Sequence, residues 1–284
     1  MQFRRAAFSL CAGMSFLLSL VGCSPAILNT FTPSTGYTLK ADIPYGSDPQ
    51  QKLDIYVPTA PAKDGTVLVF FYGGSWQTGD KDGYRWIGQD FASKGIVTVI
   101  ANYRLYPPTL YPAFLDDSAA AFAYVHKNIA SYGGNPARVF ISGHSAGAYN
   151  AIMLAANPKY LHDAGGDLSW IRGAIGIAGP YDFLPMTDPK LITIFGGADN
   201  PATQPITYVD GRRPPMLLVA GTDDQTVSPG NTKRMAAKLT ANGGEAQTIF
   251  YPGVGHIGII LSLAPGFRSK TTLEADMLTF INSH

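Results

Sequence analysis

Two short runs, residues 66–71 and 96–100, are apolar almost without interruption, and they constrain this chain more than any other feature. A strand with apolar side chains on both faces must be covered on both faces, and a parallel sheet with helices above and below does that. The segments between and after such runs have helical spacing. Residues 118–131 place Ala119, Phe122, Ala123, Val125 and Ile129 on one side, and residues 146–156 read as a helix stopped by Asn157-Pro158. Residues 232–242 and 273–281 read as two more helices. Further strands are predicted at 138–142, 171–178, 216–220 and 247–251, and the polar/apolar alternation of 51–57 predicts an edge or half-buried strand. Strands alternating with helices define the α/β class, with a mainly parallel central sheet and helices on both faces.

Composition closes off other classes. Of 284 residues 46% are hydrophobic and 14% charged, so the chain has ample material for a core and is not a disordered one. A net charge of +1 leaves no basic excess to neutralise phosphates, which argues against a nucleic-acid partner. Cys11 and Cys23 are the two cysteines, too few for a disulfide scaffold or a Cys-rich zinc site.

The beginning of the chain reads as an address. Arg4 and Arg5 precede seventeen uncharged residues, Ala6 to Gly22, with Phe8, Leu10, Phe16, Leu17, Leu18, Leu20 and Val21 among them. This is the layout of a secretory signal. Its end, Leu20-Val21-Gly22-Cys23, resembles the bacterial lipoprotein box. That resemblance implies removal of residues 1–22, lipidation of Cys23 and anchoring to a membrane through the acyl chains. Ser24 resembles the outer-membrane sorting pattern, which implies an exported lipoprotein facing the periplasm. An uncleaved anchor is the other reading, but the apolar run is short for crossing a bilayer. Residues 23–36, rich in Ser, Thr, Pro and Asn after Cys23, are expected to be a tether, and 37–284 the folded domain. Within it, residues 180–215 carry seven prolines and no strong period, and are expected to form a cap-like insertion.

Three motifs point to one chemistry. Gly143-His144-Ser145-Ala146-Gly147 fits G-x-S-x-G and lies between a predicted strand and a predicted helix, the context that exposes a serine hydroxyl on a strained turn. A serine hydroxyl at its ordinary pKa needs a base. Of five histidines, His284 is terminal and expected to be disordered, His126 and His162 are expected to be solvated, and His144 is expected to point away from the serine. That leaves His256, in a glycine-rich stretch after the last strand. The base needs a carboxylate to orient it. Asp223 and Asp224 follow a buried strand; the spacing G-x-x-D-x-x-V that many hydrolases show, counted from Gly221 to Val227, favours Asp224 and leaves Asp223 as a turn residue. The third motif, Tyr72-Gly73-Gly74-Ser75-Trp76, brings two glycines to the end of a central strand, where their N–H groups could face a developing oxyanion.

The order Ser145, Asp224, His256 is that of the α/β-hydrolases. From Tyr45 onward the chain resembles their branch of small carboxylesterases, acetyl-xylan and feruloyl-type esterases and kynurenine formamidases. The resemblance is carried by Gly73-Gly74-Ser75-Trp76, Gly79-Asp80-Lys81, Asn102-Tyr103-Arg104, Gly133-Gly134-Asn135-Pro136, the serine motif, Gly179-Pro180-Tyr181-Asp182 and Gly255-His256-Ile257-Gly258. It implies the α/β-hydrolase fold, triad roles for Ser145, Asp224 and His256, an oxyanion hole from the N–H groups of Gly73, Gly74 and Ala146, and no metal or organic cofactor. The family usually has histidine where Tyr72 stands; tyrosine keeps a hydrogen-bonding tip on a larger ring. Trp76, Phe183 and the 180–215 segment are expected to line the substrate pocket. The expected function is hydrolysis of short-chain carboxylic esters, acyl groups on carbohydrates included. The alternatives are an arylformamidase-type amidase and a catalytically silent hydrolase fold used for adhesion.

Overall fold

The computed structural model describes residues 28–284; the leader and Cys23 lie outside the described residues. Eight strands form one sheet: β1 (Tyr37–Pro44), β2 (Lys52–Pro58), β3 (Val67–Phe71), β4 (Val97–Ala101), β5 (Val139–His144), β6 (Gly173–Ile177), β7 (Met216–Gly221) and β8 (Ala246–Tyr251). Their spatial order is β1-β2-β4-β3-β5-β6-β7-β8. The pairs from β4 through β3 to β8 are parallel, while β1–β2 and β2–β4 are antiparallel. Every residue of β3 to β7 is buried, as the apolar runs require. Burying a side chain such as Phe70 or Phe71 contributes roughly 1.5–3 kcal/mol.

The helices are α1 (Arg85–Ala92), α2 (Ala113–Asn128), α3 (Ala146–Ala156), α4 (Pro158–Asp163), α5 (Pro189–Phe195), α6 (Gly230–Ala241), α7 (His256–Leu261) and α8 (Leu273–Ser283). They cover both faces. On β6, Gly173 sits against Phe280 of α8 and Gly176 against Ile152 of α3, and positions three apart on a strand face opposite ways. α3 is buried along its whole length. It stops where Asn157 turns extended and its side chain accepts from Lys159 N, which starts α4 with Pro158 in the first turn.

Several expectations change. β2 is not an edge: it lies between β1 and β4, and most of it is buried. The edge on that side is β1, which the sequence pattern did not reveal; the other edge is β8. Part of the expected tether is folded against the body. Residues 29–31 form a 3₁₀ turn, and the Arg85 guanidinium donates to the carbonyls of Asn29 and Thr32 at 2.9 and 3.0 Å. His284 is ordered, with Nδ1 2.9 Å from the Phe280 carbonyl, and His126 stacks on Trp170 with ring centroids 3.8 Å apart. The 180–215 segment contains α5 and two 3₁₀ turns. All the motif residues stand at the carboxyl ends of the parallel strands, where open α/β sheets place their sites.

Candidate active site

Ser145 stands between β5 and α3 with φ 55° and ψ −121°, a conformation that costs energy for any L-residue and holds the hydroxyl out of both elements. The surrounding fold imposes it. The Ser145 N–H donates to Ile177 O at 2.9 Å. A Cβ at Gly143 would come within 2.3 Å of the Gly147 carbonyl carbon, and one at Gly147 within 2.1 Å of Phe71 O. The two glycines are therefore the contacts at which strand, turn and helix cross, which is why this spacing and no bulkier residue serves.

His256 is the first residue of α7 rather than part of a loop. Its Nε2 lies 2.9 Å from Ser145 Oγ and its Nδ1 2.7 Å from Asp224 Oδ2. An ionised carboxylate only accepts, so the imidazole keeps its proton on Nδ1 and presents Nε2 to the serine hydroxyl. The other oxygen of Asp224 accepts from the N–H groups of Thr226 and Val227 at 2.9 and 2.8 Å. Burial opposes the charge on Asp224, but the His256 bond and these two N–H groups outweigh it and hold the carboxyl below its ordinary range. Asp223 is exposed, and its carboxylate accepts from its neighbour Thr222.

The loop after β3 reaches the same point. A Cβ on Gly73 would lie 3.0 Å from Ser145 Cβ. Gly74, at φ 136°, turns its carbonyl to accept from Gln77 and Thr78 N–H groups at 3.0 and 3.1 Å. Ser75 and Trp76 follow with φ of 53° and 59°. Among the described residues, the N–H groups of Gly73, Gly74 and Ala146 donate to no main-chain oxygen, and that of Gly73 faces the Tyr84 hydroxyl. Those of Gly74 and Ala146 are donors left for a ligand beside the serine. Tyr72 behaves differently from expectation: among the described residues its buried hydroxyl makes no hydrogen bond of good geometry, although the Tyr103 main chain faces it. The ring is instead sandwiched between Tyr103 and Tyr84, with centroids at 4.8 and 5.6 Å, and the Tyr103 hydroxyl donates to the Tyr72 carbonyl at 2.8 Å. The loop is braced by stacking where a histidine would brace it by polar contacts.

A cavity of about 480 Å³ opens at Ser145 and Ala146. Trp76, Phe183, Leu184 and Leu191 form its apolar side and Asp182, Asn231 and Arg234 its polar side, so both aromatic residues expected at the pocket line it. Trp76 is fixed, with Nε1 donating to Asn150 Oδ1 at 3.0 Å and its ring edge-on to Tyr149 and Phe195. The 180–215 segment is stapled over it. Tyr149 and Tyr111 donate to the carbonyls of Thr203 and Ala202 at 2.6 and 3.0 Å, and Asn231 Oδ1 accepts from the N–H groups of Tyr181 and Asp182. Asn150 and Asn231 were not singled out in the sequence; the signal for Asn150 was a lone amide inside an otherwise apolar helix. His144 does not point away from the site. Its ring centroid is 4.7 Å from that of His256. Among the described residues, no three His, Cys, Asp or Glu side chains gather as a metal site.

Such an arrangement can abstract a proton from a hydroxyl, attack an electrophilic carbon and stabilise the resulting oxyanion. Residues 53–239 match the family model described as BD-FAE. This chain belongs to the BD-FAE family. Residues 195–284, which carry Asp224 and His256, also match the prolyl oligopeptidase family. Similar proteins include isoprenylcysteine alpha-carbonyl methylesterase ICME of Arabidopsis thaliana, 26% identical over 86% of this chain and 62% of that protein. Esterase LipQ of Mycobacterium tuberculosis is 30% identical over 83% of this chain and 60% of its own length. The chain thus spans about half to two-thirds of the length of the curated relatives it matches. A solved truncated carbohydrate esterase from gut microbiota superposes with a TM-score of 0.76 at 22% identity, covering 89% of this chain and 98% of that one. The fold is the α/β-hydrolase fold, with the mainly parallel sheet that the alternation of strands and helices predicts.

Proposed function

We propose that this chain is a serine carboxylesterase that hydrolyses short-chain carboxylic esters, with acyl groups on carbohydrates in its range. The observation that carries the reading is the unbroken relay from Asp224 Oδ2 through His256 to Ser145 Oγ at the floor of a cavity. His256 Nε2 takes the hydroxyl proton as Ser145 Oγ bonds to the ester carbonyl carbon. The carbonyl electrons move to oxygen, which the N–H groups of Gly74 and Ala146 receive. Asp224 stabilises the imidazolium. The C–O bond to the alcohol then breaks, the alcohol leaves with the proton from Nε2, and water releases the acyl group by the same steps. Relatives named as esterases support an ester rather than an amide bond. Ser145→Ala should lose roughly 10⁶-fold in kcat while keeping its melting temperature. A fluorophosphonate probe should label the native chain at Ser145 alone, and turnover of aryl acetates should far exceed that of formylkynurenine. Activity retained within tenfold in the alanine variant would sink the assignment.

The second part of the proposal is cellular. Cys23, after removal of residues 1–22, carries the lipid that holds the enzyme on a membrane, the outer membrane facing the periplasm. The sequence Leu20-Val21-Gly22-Cys23 supports it. Cys23→Ser should block lipid labelling and leave the product in the soluble or unprocessed fraction, with unchanged kcat once isolated. Normal incorporation of labelled palmitate into the serine variant would refute the anchor.

A further inference from the structure

We propose that His144 is a positioning residue for this reaction: its Nε2–H, donated to the main-chain oxygen of His256, ties the base to the strand that carries the nucleophile. The inference rests on the triad reading above and adds a part to it. The contact is 3.0 Å long and joins residues 112 apart in sequence. A carbonyl oxygen only accepts, so His144 is the donor and its tautomer is fixed.

The base needs such a tie because its own segment supplies little stiffness. His256 opens a helix of six residues and follows Gly253, Val254 and Gly255. The segment before it is tied to the loop after β7 by Asp223 N to Val254 O at 3.1 Å and Gly253 N to Thr222 Oγ1 at 2.9 Å, and to the end of β8 by a longer bond, Val254 N to Tyr251 O at 3.4 Å. From there on, the imidazole is held by Asp224 at Nδ1, about which bond the ring can still pivot. The His144 contact fixes the other end of the residue, its carbonyl. Since His144 immediately precedes Ser145, nucleophile and base are then referred to the same few atoms of β5, and the 2.9 Å separation of Ser145 Oγ and His256 Nε2 is held from both sides.

The same ring supports the oxyanion loop. A Cβ on Gly73 would lie 3.1 Å from His144 Nδ1, so the imidazole fills the space directly beneath that glycine. Its charge state suits the place. Burial, and then the neighbouring His256, push the His144 pKa down to about 3, so it stays neutral when His256 becomes cationic 4.7 Å away.

The test compares His144→Gln with His144→Met. The two side chains are close in length and volume, and glutamine alone keeps an N–H that reaches the His256 carbonyl. With active-site titration to count folded enzyme, the methionine variant should lose about 10- to 100-fold in kcat with KM little changed, as expected for misplaced reacting groups. Glutamine should recover kcat to within about threefold of the native value on the same reasoning. A methionine variant with native kcat, or a glutamine variant as impaired as methionine, overturns the inference. Ser145→Ala, assayed alongside, separates the two levels. If it stays active the triad reading itself fails; if it is inactive while His144→Met is native-like, the role of His144 alone falls.

Discussion

Asp223 and Asp224 are chemically identical neighbours, and the fold gives them opposite surroundings. Asp224 is buried, bonded to His256 and to two main-chain N–H groups; Asp223 is exposed and bonded to Thr222. Asp224→Asn should therefore cost about 10⁴-fold in kcat, because an amide in that place no longer stabilises the imidazolium and favours the wrong tautomer. Asp223→Asn should change kcat by less than about threefold, as surface changes away from a site do. Steady-state kinetics of the two variants decide it, and sensitivity at Asp223 would reverse the assignment. The sequence made this distinction readable, since the spacing from Gly221 to Val227 counts out the residue whose side chain the turn folds back. Ser145 and His256 were readable for a related reason: each follows a strand and each belongs to a chemistry that demands its type. His144 was not. Its partner is a main-chain oxygen far along the chain, and main-chain partners leave no trace in residue identity. Tyr72 was half legible, its position from the glycines beside it but its stacking from nothing in its own segment.

Elements were legible where burial is symmetrical and obscure where it is not. The fully buried strands β3 to β7 advertise themselves by composition, whereas β1 is exposed along most of its length and so carries no apolar pattern. α7 was hidden because the glycines before it read as loop, and α1 because its eight residues include two polar ones, Gln89 and Asp90, that are buried. Asp90 of α1 is one of these. Its Oδ1 meets Lys94 Nζ at 2.6 Å and the Arg268 guanidinium, while Oδ2 is buried without a partner among the described residues. Burial, despite both cations, pushes its carboxyl up to about 6 from an ordinary 3.8. The sign follows from proton linkage. Between about pH 4 and pH 6 the folded chain holds a proton that the unfolded chain has released, so this group's contribution to stability falls as pH rises through that window and is level outside it. Asp90→Asn should abolish the slope. In paired thermal melts, the melting temperature of the native protein relative to the variant should decline from pH 4 to pH 6.5 or so. A relative melting temperature that climbs with pH would mean that Lys94 and Arg268 outweigh burial at this site.

At the scale of the whole molecule, the question is what the 180–215 segment lets the site accept. Its prolines suggest a stiff cover, and its packing gives that stiffness a mechanism. From the body, the Tyr149 and Tyr111 hydroxyls bond to its carbonyls and Asn231 fixes its start; within it, the Tyr208 hydroxyl bonds to Ala202 O and Gln204 Oε1 accepts from Phe183 N at 2.7 Å. Phe195, at the end of α5 within the segment, lies edge-on to Trp76 and Tyr149 of the body and to Phe183, with centroids 4.8 to 5.6 Å apart. On the proposed function, an acyl chain extending from Ser145 would meet the Trp76 and Phe183 rings that line the cavity, and a cover bonded to the body in this way is expected to stay in place. Each methylene that finds apolar surface contributes about 0.8 kcal/mol, nearly fourfold in rate constant when expressed in the transition state. With p-nitrophenyl esters from acetate to palmitate, assayed below their micellar limits, kcat/KM should rise only over the first members, peak between acetate and butyrate, and then fall. Phe183→Ala should move the peak to longer chains by opening the wall without touching the triad. A continuous climb through decanoate in the native enzyme would show that the cover opens, and would place the enzyme among lipases rather than short-chain esterases.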